Sequence, residues 1–231
     1  DQTADAWRAV LDRAIALEPD HLSCYQLTIH EGTRFGDRLA TGRLRELDDE
    51  RQAELYAIAH ERLGEAGYEG YEVSNFARGP ATRSRHNSKY WRHVPYLGLG
   101  PSAHSYLAGR RWWNLRDRSA WQARLAAGQL PREGEEQLDG AALALEKVLL
   151  GLRTREGVDL AEVVRATGVD LEPANRDRFE RWEREGLVRR ERSRLFPTPA
   201  GMAVAEGLAR DVAISTNPAS GPPTAPPLQP G

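Results

Sequence analysis

Cysteine is almost missing from this chain: Cys24 stands alone among 231 residues. A single thiol excludes an internal disulfide and any metal centre built wholly from this chain's cysteines, and it suits a reducing compartment. Methionine is as scarce. Met202 is the only one and the sequence opens at Asp1, so a further N-terminal segment is expected. No apolar run approaches the ~20 residues that span a bilayer, and no signal peptide opens the chain. The expected location is therefore cytoplasmic. Excess charge is lacking too. Lys and Arg total 32 against 34 Asp and Glu, a net charge of −2. No bulk field draws such a chain to nucleic acid or membrane, and any anion site must be a local cluster.

What the sequence does contain is concentrated in residues 83–105. That window holds His86, His93 and His104, the aromatics Tyr90, Trp91 and Tyr96, and a Gly98-Leu99-Gly100-Pro101 turn. Two readings of His86 stand side by side. An imidazole can ligate haem iron while Arg and Lys pair with propionates and aromatic rings line the macrocycle; His86–Trp91, flanked by Arg83, Arg85 and Arg92, supplies all three residue types. Alternatively the stretch is a polar loop, with Tyr90 and Trp91 as ordinary core. His104 follows the glycine turn, whose backbone amides suit a carboxylate or phosphate, although a lone Gly-x-Gly is a weak signal that tight-turn packing explains better. His93, beside Pro95, reads as a surface residue. His21, His30 and His60 have no partner cluster. The scattered histidines show no recurrent zinc spacing, and Ser102-Ala103-His104 is no nucleophile elbow.

Periodicity predicts a helix over Thr3–Leu17 with Thr3 as N-cap, then a strand over Leu22–Ile29 with no wholly polar face. Residues 30–47 read as irregular. A second helix starts at the acids Asp48–Glu50 and ends at Gly67, and Tyr68–Asn75 reads as the next strand. Helix, strand, helix, strand implies parallel α/β layering, with ligands beyond the strand ends. Further on, Arg110–Asn114 reads as a strand or turn and Ser119–Ala127 as a short helix, followed by a linker over 128–140. Helices are expected over Ala141–Leu152, Asp159–Thr167 and Ala174–Gly186, then a hairpin of Leu187–Arg190 with Arg194–Phe196, and a final helix over Thr198–Ala213. This order describes a small winged-helix-like domain over 141–213. The Pro-rich tail, 214–231, is expected to be disordered. Eight arginines lie between Arg176 and Arg194, but Asp177, Glu180, Glu183 and Glu185 interleave with them at helical spacing. That favours a salt-bridged face over a nucleic-acid reader, and no nucleic-acid partner is expected.

Several motifs occur in a fixed order: Gln2-Thr3, Pro19–Ser23, Gly67-Tyr68, Tyr71–Arg78, His86-Asn87-Ser88-Lys89-Tyr90-Trp91, Gly98–Ser105 and Leu149–Arg153. Together they resemble the C-terminal part of the radical-SAM haem chaperone family, HemW, siblings of the oxygen-independent coproporphyrinogen III oxidase, HemN. The resemblance covers residues 1–210. It implies an α/β fold: the C-terminal portion of an incomplete radical-SAM barrel over 1–127, followed by the smaller domain. It implies haem bound at His86, Asn87, Tyr90, Trp91 and Arg85, with His86 on the iron, for delivery to a client haemoprotein. Any membrane contact would be peripheral, through that client.

The resemblance also implies S-adenosylmethionine and a [4Fe-4S] cluster in the whole family member, with Thr28, Gly100 and His104 lining the S-adenosylmethionine pocket. Porphyrinogen decarboxylation is the alternative activity, but Ser88 and Lys89 stand where the sibling oxidase has an aromatic–amide pair, which argues against it. The family's Cys-x-x-x-Cys-x-x-Cys triad lies upstream of the matching region, and Cys24 cannot replace three cluster ligands. No radical chemistry, and no catalytic residue, is expected of this polypeptide alone.

Overall fold

The computed structural model describes residues 2–214; the proline-rich stretch read as a disordered tail lies, from residue 215, outside them. The chain opens with α1 (Ala4–Ile15), whose N-cap Thr3 accepts a hydrogen bond from the Ala6 amide at 3.2 Å. Next come β1 (His21–Ser23), α2 (Arg34–Ala40) and α3 (Asp49–Glu65), the last capped by Asp48 through the Arg51 amide at 2.8 Å. Capping oxygens of this kind satisfy amides that lack an intrahelical partner. Gly67 leaves α3 with φ +82°, the left-handed conformation glycine adopts without strain.

β2 (Glu69–Gly70) and β3 (Asn75–Ala77) follow, and the first sheet has the order β1-β3-β2. Both of its pairs are antiparallel, Leu22 opposite Phe76 and Gly70 opposite Phe76. The helix–strand alternation implies parallel layering, and the structure differs. The chain instead reverses between β2 and β3, so it is β3 that lies beside β1 and runs against it. β1 is also shorter than expected: Cys24 still donates to the Ser74 carbonyl at 2.8 Å, but Tyr25 and Leu27 beyond it are exposed. α1, α3 and this sheet enclose a first core of Leu11, Leu55, Ile58, Ala59, Leu63, Tyr68 and Phe76.

α4 (Arg85–Trp91) leads through the glycine turn into a second antiparallel sheet, β4 (His104–Leu107), β5 (Arg110–Asn114) and β6 (Arg132–Gln137), with α5 (Arg118–Ala126) between the last two. β6 occupies much of the stretch read as a linker. Its Arg-Glu-Gly-Glu-Glu-Gln sequence lacks the apolar alternation of a strand; cross-strand ion pairs hold it instead, Arg110 with Glu135 at 2.5 Å and Arg111 with Glu136 at 2.9 Å.

The remainder is α6 (Gly140–Leu152), β7 (Val158–Asp159), α7 (Leu160–Thr167), α8 (Glu172–Arg184), the hairpin β8 (Val188–Glu191) and β9 (Arg194–Pro197), then α9 (Pro199–Ala203) and α10 (Ala205–Asp211). β7 adds a third strand, giving the order β7-β9-β8. The expected single last helix is split at Val204, whose backbone leaves the helical region. Phe179, Trp182, Leu152, Val148, Val163 and Leu195 anchor the second core. The arginines of α8 and the wing are drawn to carboxylates: Arg178 and Arg181 to Asp211, Arg190 to Glu172, Arg194 to Asp159. The face is salt-bridged, but through Asp211, Glu172 and Asp159; the interleaved Asp177, Glu180, Glu183 and Glu185, on which the expectation rests, take part in none of these pairs.

Among the described residues no helix is long and apolar enough to cross a membrane.

Candidate functional site

The window 83–105 folds as a short helix followed by a tight glycine turn. Ser84 caps α4: its hydroxyl accepts from the Asn87 amide at 3.2 Å, and Ser88 Oγ donates back to the Ser84 carbonyl at 2.7 Å. Ser84 is itself held, because its amide donates to the Tyr71 hydroxyl at 3.0 Å, and that oxygen also meets His21 Nε2 at 2.9 Å. His21 therefore has a partner that the sequence did not reveal. Just before the cap, Arg83 bridges Glu69 and Glu156, each at 2.6 Å.

The seven residues of α4 divide into two faces. Arg85, His86, Lys89 and Tyr90 are exposed, whereas Asn87, Ser88 and Trp91 are half-buried. These sets are what a period of 3.6 produces, with residues four apart stacked on one face. His86 meets Tyr90 edge-on with 5.1 Å between ring centroids, and Tyr90 in turn meets Tyr96 at 4.8 Å. On the inner face the Arg153 guanidinium lies 5.3 Å over the Trp91 ring. Of the expected haem residues, Arg85, His86 and Tyr90 thus share the outer face, and Asn87 and Trp91 do not. Lys89 joins the outer set.

The glycine turn is built for close approach. A Cβ on Gly98 would overlap the His104 carbonyl oxygen, and Gly100 has φ +105°. Its amides are largely engaged: Gly98 donates to Ser105 Oγ at 3.0 Å and Ser102 to the Leu115 carbonyl at 3.0 Å. His104 sits exposed at the start of β4, opposite Trp113 on β5, and the two rings stack at 5.8 Å. Together with Tyr90, Tyr96, Tyr106, Leu149 and Leu150 they line an aromatic cleft of about 470 Å³. The structure therefore brings Tyr90 of the helix and His104 of the turn to one cleft. Thr28 is exposed elsewhere, between Leu27 and Ile29, which line an apolar cleft of about 380 Å³ with Cys24 and Phe76.

His93 corrects the surface reading. Its side chain is only 8% exposed, and Nε2 lies 3.4 Å from the Glu146 carboxylate on α6. Burial lowers its pKa below the ordinary histidine value, and Glu146 opposes that shift. A left-handed backbone at His93, φ +53°, turns the ring inward just after α4 ends.

The C-terminal region gives the first link to known proteins. A family model described as the HemN C-terminal domain matches residues 138–204. The haem chaperone HemW of Mycobacterium tuberculosis is 37% identical over 200 residues, covering 87% of this chain and 49% of that protein. The chain belongs to the HemW–HemN family. Another HemW, from Synechocystis, is 37% identical over 168 residues, covering 71% of this chain and 40% of that protein. The chain thus spans about half the length, or less, of these curated HemW relatives. The solved structure of HemN from Escherichia coli, described as a coproporphyrinogen III oxidase and radical-SAM enzyme, superposes with a TM-score of 0.65 at 16% identity. That match covers 90% of this chain and 51% of HemN and establishes a shared mixed α/β fold.

The radical-SAM family implies S-adenosylmethionine and a [4Fe-4S] cluster. The described residues do not fit the cluster: Cys24 is the sole cysteine, and no group of three or more His, Cys, Asp or Glu among them is placed to hold a metal ion.

Proposed function

We propose that this chain presents haem on the outer face of α4, as part of a haem chaperone that passes it to a client haemoprotein. One observation carries the reading: α4 exposes an imidazole, an aromatic ring and two cations together, as His86, Tyr90, Arg85 and Lys89, while its other residues anchor the helix. Each group has a task suited to haem. An exposed imidazole offers a nitrogen lone pair to iron, Tyr90 offers a ring surface to the macrocycle, and Arg85 and Lys89 offer charge to the propionates. Exposure itself suits a carrier, since cargo that must be handed on is better held at a rim than in a sealed core. Asn87 and Trp91 serve the site by seating the helix.

By the same reading, His104 and Gly100 contribute to an S-adenosylmethionine pocket in the longer family member, as does Thr28, which lies beyond the end of β1. The barrel portion is residues 1–127 and the haem helix belongs to it.

Haem titration of the purified chain, followed by the Soret difference spectrum, tests the proposal. His86→Ala is expected to weaken binding at least tenfold and to remove the imidazole-ligated band. Arg85→Gln and Lys89→Gln are expected to weaken it severalfold, more at low salt than at high salt because exposed charge is screened. An unchanged titration with His86→Ala overturns the reading.

A further inference from the structure

The inner face of α4 meets the domain that follows it. Trp91, at the last position of the helix, lies under the Arg153 guanidinium at 5.3 Å. Arg153 caps the C-terminus of α6, and the same guanidinium pairs with Glu206 of α10 at 3.2 Å. Its backbone is fixed as well: the Val73 amide donates to the Arg153 carbonyl at 2.9 Å, the Arg155 amide donates to the Tyr71 carbonyl at 3.0 Å, and Glu72 bridges to Thr154. Tyr71–Val73 is thus laced to Arg153–Arg155 by main-chain bonds. The same Tyr71 sends its hydroxyl to the Ser84 amide, one residue ahead of α4. Both ends of the helix are therefore gripped from one junction, the N-terminus through Tyr71 and the C-terminus through Arg153.

From this we infer that Arg153 and Tyr71 are positioning residues for His86, so that the C-terminal domain sets the geometry of the haem site without touching haem. The inference rests on haem binding at α4. The physical argument is one of leverage. A helix of seven residues has too few internal bonds to hold its own direction in water; tertiary contacts must do so. A cation over an indole face is an attractive contact with a preferred geometry, and a hydroxyl held between His21 and Ser84 fixes where the helix begins. On the outer face Tyr90 packs against Tyr96, while Arg85, His86 and Lys89 stand exposed, so the direction of His86 depends on how the inner face and the two helix ends are held.

The test compares haem titrations and low-temperature EPR spectra of four forms of the full chain: unaltered, His86→Ala, Arg153→Leu and Arg153→Lys. Arg153→Leu is expected to keep the circular dichroism of the unaltered chain, weaken haem about tenfold, and broaden or shift the signal of imidazole-ligated iron. Arg153→Lys, which keeps a cation over Trp91, is expected to restore most of that signal. If Arg153→Leu fails to fold, Arg153→Gln provides the same comparison with a polar but uncharged side chain, and Tyr71→Phe probes the other end of the helix. Haem affinity and iron spectrum unchanged in Arg153→Leu, alongside a clear loss in His86→Ala, overturns the inference alone. No loss in His86→Ala overturns the haem reading and this inference with it.

Discussion

The imidazole of His60 stands edge-on to the ring of Phe76, 4.8 Å between centroids, with Tyr56 against it at 4.5 Å. Its Nε2 is buried and has no hydrogen-bond partner among the described residues. Burial among aromatic rings pushes its pKa down from 6.5 to about 4. The folded chain therefore keeps His60 neutral where the unfolded chain already binds a proton. Stability from this group is complete above pH 6.5 and falls as the pH drops toward 4, where the folded state begins to protonate too.

The full shift corresponds to about 3 kcal/mol at one unit per 1.36 kcal/mol, and partial exposure reduces the expected effect to about 2 kcal/mol. Urea unfolding of the intact chain between pH 7 and pH 4.5 measures it. His60→Leu should flatten that part of the profile, leaving the smaller slopes from His21 and His93, whose pKa values burial also lowers. A variant as acid-sensitive as the parent would show that His60 is not the group responsible.

Gly98 makes a second prediction. A methyl group there would overlap the His104 carbonyl oxygen, a backbone atom, with no flexible side chain to yield. Gly98→Ala should therefore cost about 2 kcal/mol or more and displace His104 from its stack with Trp113. Near-ultraviolet circular dichroism should register the loss of the His104–Trp113 arrangement, and thermal melting the destabilisation. Gly64→Ala is the control, since a Cβ at Gly64 meets nothing within 4 Å. Equal melting shifts for the two variants would refute the steric argument.

Local signals translated well into structure where they are strong in a few residues. Thr3 caps its helix as expected, a helix begins at the acids Asp48–Glu50, and Arg110–Asn114, read as a strand or turn, is a strand. The helices and hairpin of the C-terminal region fall close to their expected positions because an apolar stripe at 3.6 spacing and a two-residue turn are encoded locally. What was illegible depends on partners distant in sequence. β6 is held by arginines some twenty-five residues earlier, β1 runs antiparallel because β3 turns back toward it, and His93 is buried by Glu146 and Tyr106. The division of the His86–Trp91 motif is encoded locally: on a helix, i to i+4 spacing sets His86 and Tyr90 on one side and Asn87 and Trp91 on another.

Cys24 supplies the last prediction. Its thiol is half-buried beside the apolar cleft, and burial pushes its pKa up to about 11. Nucleophilic attack by cysteine requires the thiolate, so at neutral pH only a minute fraction is reactive. The folded chain should react with a thiol-specific disulfide reagent at least tenfold more slowly than the same chain in denaturant, and its rate should still be climbing at pH 9.5, where an ordinary thiol has levelled off. The thiolate is also the form that binds iron, so the same burial disfavours Cys24 as a metal ligand in this fold. Reaction at the denatured-state rate at pH 7 would show an accessible, ordinary thiol and remove that argument.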